Sequence, residues 1–205
     1  MKMIDIPTKI IKLAKFVLAP ILTRIFNKCI NEGFYPDCLK VAEVIPIDKS
    51  GEQNICSNYR PISILLQFNK IFKRILYDRV YFYLQEYKLL SKYQFGFRPR
   101  SSTWSRTSYA VESIYSNLLS NADNGLSSCS IFLYLSKAFY TVNHNILFDK
   151  FYHNFGIRGV PLQLFLSYLS NRKQFVKLEN VKSGLVDISN GVPQGSVLGP
   201  LLFIM

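Results

Sequence analysis

The residues best suited to binding chemistry are the cations and aromatic rings that alternate between Tyr87 and Val111. This stretch contains no acidic residue. Because Lys and Arg neutralise phosphates and flat rings stack on bases or sugars, the pattern indicates contact with nucleic acid. A solvated basic loop over a core cluster of aromatic residues explains the same composition, and both interpretations stand at this point. The residues concerned are Lys88, Lys92, Arg98, Arg100, Arg106, Tyr93, Phe95, Phe97 and Trp104.

The potential metal ligands are scattered. None of the seven aspartates is adjacent to another or separated from it by one residue. Magnesium chemistry on phosphates needs several carboxylates at one point, so no such cluster is visible in the sequence. The four cysteines form no Cys-x-x-Cys pair and the two histidines lie apart from them. This pattern predicts neither a zinc site nor a disulfide framework, and it favours reduced thiols in an intracellular protein.

Composition restricts the class of protein. A chain of 205 residues with 49% apolar and 19% charged side chains can bury a core in one or two compact domains, which argues against disorder. A net charge of +12 makes polyanions the first candidate partners. The longest early apolar run, Phe16 to Leu22, contains Pro20 and is far shorter than the ~20 residues of a membrane span. We therefore predict neither a transmembrane helix nor a signal peptide.

The first half of the chain has a clear helical periodicity. Residues 8–32 predict a helix that Pro20 kinks or splits, and Val41 to Ile47 predicts a strand followed by a polar loop, Asp48 to Asn58. Phe68 to Tyr87 predicts an amphipathic helix whose polar face we expect to be solvated. That face contains Lys70, Lys73, Arg74, Asp78 and Arg79.

The second half predicts shorter elements. Cys129 to Leu135 is apolar enough to be a buried strand. Gln174 to Leu178 and Leu185 to Ile188 predict a hairpin, and a Pro-Gly turn at 191–195 opens a last helix. The other predicted helices are Ser105 to Leu119, Asn143 to Asn154 and Pro161 to Ser170.

Four segments have a distinctive order and spacing. Together they resemble the reverse transcriptase of non-LTR retrotransposons, the jockey-like and LINE-type elements, over essentially the whole chain. The segments are Leu39 to Leu66 (LKVAEVIPIDKSGEQNICSNYRPISILL), Tyr93 to Thr103 (YQFGFRPRSST), Ile131 to Leu147 (IFLYLSKAFYTVNHNIL) and Gly191 to Leu202 (GVPQGSVLGPLL).

The resemblance implies an α+β right-hand polymerase. Residues 1–128 would be helical fingers, and residues 129–205 would be part of a palm with an antiparallel sheet, ending before the family's Ala-Asp-Asp segment and the thumb. The family copies RNA into DNA by two-metal phosphoryl transfer with Mg²⁺. Its partners are an RNA template, a DNA primer and deoxynucleoside triphosphates, and no membrane is implied.

Two tyrosines stand where the family has aspartates. The family pattern Phe-Leu-Asp-Leu-Ser-Lys-Ala-Phe-Asp corresponds here to residues 132–140, with Tyr134 at the metal-binding position and Tyr140 at the second aspartate. A phenol with a pKa of about 10 is neutral at pH 7 and is a poor magnesium ligand. The family's second metal-binding pair would lie beyond Met205. We therefore expect this chain not to bind Mg²⁺ and to be catalytically inactive.

Other family positions are retained. The resemblance implies that Lys49 and Arg60 contact the triphosphate of the incoming nucleotide, that Phe139 is the steric gate against a 2′-hydroxyl, and that Gln194 lies beneath the nucleotide. The plainer alternatives are a solvated lysine, an arginine that caps a helix, a core phenylalanine and an ordinary Pro-Gly turn. The template-contacting residues implied by the resemblance are Lys92, Phe95, Phe97, Arg98 and Arg100.

Three functions are compatible with these observations. The first is a working RNA-directed DNA polymerase, which the loss of metal ligands opposes. The second is a decayed fragment of such an element that binds nucleic acid only through its basic fingers. The third is a basic structural or membrane-surface protein, for which the helix at 8–32 is weak support because an apolar stripe more often faces a core. His144 is expected to cap or pack the start of its helix, and His153 to be structural.

Overall fold

The computed structural model describes residues 6–49, 52, 54–99, 103–122, 124–127, 129–179, 181–193 and 195–205. These residues form an α+β fold, as the sequence predicted. The helices are α1 Thr8–Leu13, α2 Lys15–Glu32, α3 Gln67–Glu86, α4 Thr103–Ala122, α5 His144–His153, α6 Gly159–Leu169 and α7 Leu198–Ile204. The strands are β1 Val41–Asp48, β2 Tyr59–Ile64, β3 Arg172–Leu178, β4 Val181–Lys182 and β5 Val186–Ile188. Within the described part of the chain, no helix is both long and apolar enough to cross a membrane.

The five strands make one mixed sheet. Its order is β2-β1-β3-β4, with β5 also paired to β3. The β1–β2 and β3–β5 pairs are antiparallel, but β1 and β3 are parallel, with Val41 opposite Lys173 and Val44 opposite Val176. The antiparallel sheet was expected within residues 129–205, and there β3 is antiparallel to both β4 and β5; the parallel pair joins this region to β1. Parallel pairing is possible because helices α3 to α6 lie between the two strands in sequence and supply the long crossover that it requires.

The hydrophobic core lies among the helices. Phe26 of α2 stacks on Phe72 of α3 with ring centroids 4.5 Å apart, and Tyr35 stacks on the same Phe72 at 5.1 Å. The ring of Tyr168 from α6 meets Tyr35 edge-on at 4.9 Å. These aromatic contacts join helices from both halves of the sequence, because each helix directs one apolar stripe inward.

The N-terminal helix is divided, but not at the predicted residue. The break falls at Ala14, whose φ of −87° and ψ of 11° separate α1 from α2, and α2 then continues through Pro20. Pro20 lies on an exposed part of α2. A proline there removes one helical hydrogen bond, to the carbonyl of Phe16. Phe16 is 82% exposed, so water can satisfy that carbonyl and the helix continues.

The segment Cys129 to Leu135 differs most from its prediction. It forms no strand and is not buried, because Ile131, Phe132, Leu133 and Leu135 are all largely exposed and Tyr134 is 89% exposed. A β-strand needs a neighbouring strand to satisfy its backbone groups. None of the five strands of the described chain pairs with this segment, so its apolar composition does not produce a strand.

Candidate functional site

Lys49 and Arg60 lie at one end of the β1–β2 hairpin. Arg60 pairs with Ile47 in the antiparallel ladder, and the backbone N–H of Lys49 donates a 2.9 Å hydrogen bond to the carbonyl of Asn58. Both residues are exposed. The structure therefore brings these two predicted triphosphate contacts together on an accessible hairpin end, where two cations favour a polyanion.

Phe139 belongs to an aromatic cluster with Phe97 and Phe203. Its ring centroid lies 5.5 Å from that of Phe97, nearly perpendicular to it, and 5.0 Å from that of Phe203 in α7. Phe139 is half-buried against the hydrophobic core, and Phe97 adopts a left-handed backbone conformation with φ of 60°. A predicted nucleotide contact and a predicted template contact thus touch each other. Such packing is expected if Phe139 is a core residue, which is the plainer alternative to a steric gate.

Tyr140 connects this cluster to the hairpin. Its hydroxyl donates a hydrogen bond to the carbonyl of Pro61 at 3.1 Å, and burial raises the pKa of the Tyr140 phenol. Pro61 follows Arg60 directly, as Tyr140 follows Phe139. Tyr140, the second tyrosine at a family aspartate position, therefore joins the segment that contains Phe139 to the segment that contains Arg60.

The turn that precedes α7 is held against the residues around Phe139. Gly191 donates its N–H to the carbonyl of Val142, and Val192 donates to that of Phe139, both at 2.8 Å. His144 Nε2 lies 2.8 Å from the Gly191 carbonyl, and it carries the proton of this bond because a carbonyl can only accept. His144 therefore packs at the start of α5, as predicted, and also fixes the turn.

Only glycine fits at position 191. Its φ is 84°, and a Cβ atom there would lie 2.8 Å from Tyr140 Cα and 2.9 Å from the Phe139 carbonyl oxygen. Gln194, the predicted contact beneath the nucleotide, lies outside the described residues.

The predicted template contacts lie in the loop after α3. Arg98 donates from Nη1 to the Ser91 carbonyl at 3.1 Å and to the Gln94 carbonyl at 3.4 Å, so its guanidinium also stabilises the loop. The ring of Phe95 packs on Tyr109 of α4 with centroids 5.2 Å apart. Phe95 and Phe97 thus contact other protein rings, which the core-cluster interpretation predicts, whereas Lys92 is exposed. Arg100 is outside the described residues.

Cations line a groove beside this loop. The groove has a volume of about 590 Å³ and runs between the C-terminal end of α3 and residues 88–98. Three of its lining residues, Lys88, Lys92 and Arg98, are basic, and no acidic residue lines it among those described. Such a surface attracts phosphate groups.

The residues around Tyr134 do not fit a magnesium site. Tyr134 is 89% exposed on the unpaired segment, where the resemblance implies a metal-binding aspartate. In the part of the chain that the structure describes, no three His, Cys, Asp or Glu side chains converge closely enough to hold a metal ion.

Sequence reasoning missed a buried pair of cations. Lys73 and Arg172 are each 1% exposed, so the prediction of a solvated Lys73 was wrong. Its position gave a signal, because residue 73 falls on the same helical stripe as the buried Asn69, Phe72 and Leu76. Lys73 is buried because its position on the helix faces the core, and the charge of its side chain does not change that position.

Comparison with known proteins agrees with the four sequence segments. Residues 47–205 match the family described as reverse transcriptase (RNA-dependent DNA polymerase). The chain is 33% identical over 186 residues to the RNA-directed DNA polymerase from mobile element jockey of Drosophila melanogaster, covering 89% of this chain and 19% of that protein. It is 33% identical over 184 residues to the probable RNA-directed DNA polymerase from transposon BS of the same organism, covering 89% and 20%.

A third relative is the probable RNA-directed DNA polymerase from transposon X-element of Drosophila melanogaster, 31% identical over 185 residues, covering 90% of this chain and 20% of that protein. The chain thus spans about a fifth of the length of the curated relatives it matches. The family match covers well over half of the chain, and the relatives come from mobile elements. The chain belongs to the reverse transcriptase family, in the group found in non-LTR retrotransposons.

Proposed function

We propose that this chain binds a nucleic-acid primer-template through the basic loop after α3, residues 88–98, and does not catalyse Mg²⁺-dependent DNA synthesis. The groove lined by Lys88, Lys92 and Arg98 is the observation that carries the binding proposal. The net charge of +12 adds a long-range attraction for a polyanion. In this proposal residues 1–128 correspond to fingers and residues 129–205 to part of a palm, and β1 of the first region pairs with β3 of the second.

Lys49 and Arg60 are proposed to approach the triphosphate of a nucleotide. Their shared position at the exposed end of the β1–β2 hairpin supports this role. Phe139 is proposed to form the floor beside that nucleotide. Its contact with Phe97 supports a coupling between the template loop and the nucleotide site, because displacement of one ring changes the packing of the other.

The absence of catalysis follows from the chemistry of position 134. Phosphoryl transfer depends on metal ions that neutralise the developing charge, and the protein has little other means to accelerate it. A solvent-exposed phenol supplies no carboxylate to hold such an ion. Binding needs only cations and aromatic surfaces, so it is independent of this loss.

Fluorescence anisotropy of a labelled RNA/DNA primer-template tests the binding proposal. We expect affinity to fall by orders of magnitude between about 50 and 200 mM salt, because phosphate contacts release counterions. Lys88→Gln with Lys92→Gln should weaken binding and lower the salt slope by about 2, one unit for each lost phosphate contact.

The matched control removes two exposed cations from α1. Lys9→Gln with Lys12→Gln changes the net charge by the same amount but lies outside the groove. The control variant should retain most of the wild-type affinity for the primer-template. Equal losses from both double variants would mean that the chain attracts nucleic acid only through its overall charge, which would contradict a binding groove.

A further inference from the structure

Helix α4 carries an apolar stripe that is open to solvent. Trp104, Val111 and Leu118 recur at intervals of seven residues, which is about two helical turns, and Tyr115 and Leu119 lie beside them. All five side chains are exposed, Trp104 by 79% and Tyr115 by 63%. No other described helix or strand packs along α4. Such a row of large apolar side chains in water marks an interaction surface.

The opposite side of α4 contacts the rest of the chain. The ring of Tyr109 lies 5.2 Å from that of Phe95 and 5.9 Å from that of Tyr93, measured between centroids, and both partners belong to the basic loop. Tyr109 precedes Val111 by two residues, and two residues turn an α-helix by about 200°. The α4 stripe therefore faces away from the basic loop and its groove.

The charge of α4 differs from that of the whole chain. Its 20 residues contain one cation, Arg106, and one anion, Glu112, so they add nothing to the net charge of +12. A nucleic acid or an anionic membrane needs several cations on the surface that it contacts. An apolar surface without net charge can instead meet an identical surface without repulsion. The composition of α4 therefore favours a second copy of this chain as the partner.

A second exposed stripe, on α1 and α2, lacks this property. Its apolar members are Ile10, Leu13, Val17 and Ile21. Lys9, Lys12 and Lys15 lie among them, and residues 6–31 contain no acidic residue. Two copies that met through this stripe would bring like charges together, which is unfavourable. Self-association is therefore expected at α4 and not at α1.

We propose that the α4 stripe binds the α4 stripe of a second copy of this chain. Trp104 and Leu118 lie seven residues to either side of Val111, so Val111 meets Val111 of the second copy whether the helices run parallel or antiparallel. Burial of most of both stripes removes on the order of 1,000 Å² from water, near the lower limit of a specific interface. The dimer should therefore be weak, with a dissociation constant on the order of 10 μM. The proposal does not depend on nucleic-acid binding.

Sedimentation equilibrium of the full chain between about 1 and 200 μM tests the proposal. We expect the average mass to rise from that of one chain and to level off at that of two, because a contact between identical surfaces closes after one partner. A mass of one chain over the whole range would overturn the proposal. A mass that increases past two chains without levelling off indicates open-ended aggregation and would also contradict it.

Val111→Lys places a charge at the centre of the proposed contact. Two lysines would then face each other in an apolar interface, so dimerisation should weaken at least tenfold. Ser116→Lys is the matched control, because Ser116 is exposed on the side of α4 away from the stripe and receives the same charge. Ser116→Lys should dimerise as the wild type does. Equal weakening by the two variants would assign the effect to overall charge and would refute the interface.

A mixture of Val111→Lys and Val111→Glu chains identifies the surface on the second copy. Each variant alone should stay monomeric at concentrations where the wild type dimerises, and the mixture should form a dimer because opposite charges then meet. A mixture that stays monomeric would overturn the contact between identical stripes. Loss of the dimer in Leu133→Lys would then assign the partner surface to the exposed segment Ile131–Leu135 of the second copy.

Discussion

The hydroxyl of Tyr140 donates a hydrogen bond to the carbonyl of Pro61 at 3.1 Å. This bond connects the residue after Phe139 to the residue after Arg60, and so it joins two parts of the candidate site. Tyrosine at position 140 thus has a structural partner, whereas Tyr134, the other tyrosine at a family aspartate, is 89% exposed.

Tyr140→Phe should lower the free energy of unfolding by about 0.5–1.5 kcal/mol, the usual net value of one hydrogen bond. Tyr134→Phe makes the same chemical change on an exposed residue and should have almost no effect. Urea unfolding of the two variants measures the difference. Equal stabilities would show that the Tyr140 bond contributes nothing.

Gly191→Ala should destabilise the chain by more than about 1 kcal/mol, because alanine is strained at φ of 84° and its Cβ would meet the Tyr140 backbone at 2.8 Å. Gly184→Ala is the control, since a Cβ atom there meets nothing within 4 Å. Thermal or urea unfolding gives both values. A Gly191→Ala variant as stable as Gly184→Ala would contradict the described turn.

The pH dependence of stability reports on Lys73. Its pKa is lowered in the folded chain by burial and by Arg172, so between that value and about 10.5 the unfolded chain binds the additional proton. The folded state is therefore penalised at neutral pH, and stability rises as the pH increases through this range. Lys73→Met should unfold at a higher urea concentration at pH 7 and should have a flatter pH profile than the wild type. Identical profiles would mean that Lys73 is solvated.

The exposed segment Ile131–Leu135 is expected to promote self-association. It is an uncharged apolar run without proline or glycine, and its side chains are largely exposed. Leu133→Lys should therefore reduce light scattering by the concentrated chain while leaving the Tm nearly unchanged. Leu126→Lys adds the same charge at another exposed leucine and should reduce scattering much less. Equal reductions of scattering by the two variants would mean that the added charge, and not the segment Ile131–Leu135, controls aggregation.

Local patterns in the sequence predicted most of the elements. The helices α3, α5 and α6 and the strand β1 lie within a few residues of their predicted ranges, because a periodic apolar face and a polar loop act over short distances. Asn143 accepts hydrogen bonds from the N–H groups of Asn145 and Ile146, which fixes the start of α5.

Long-range relationships could not be predicted in this way. The parallel pairing of β1 with β3 joins residues more than a hundred positions apart, and no local pattern specifies it. The segment Cys129–Leu135 has strand composition, but a strand also needs a partner. The contact between Phe97 and Phe139 likewise depends on tertiary packing, although the family resemblance had singled out both residues separately.

Primer extension on a preformed complex tests the central claim most directly. The chain is first saturated with a labelled RNA/DNA primer-template at low salt, binding is verified by anisotropy, and Mg²⁺ with all four deoxynucleoside triphosphates is then added. We predict a bound primer that stays at its original length. A primer lengthened by even one nucleotide would contradict the loss of catalysis, and the absence of binding would contradict the proposed interface.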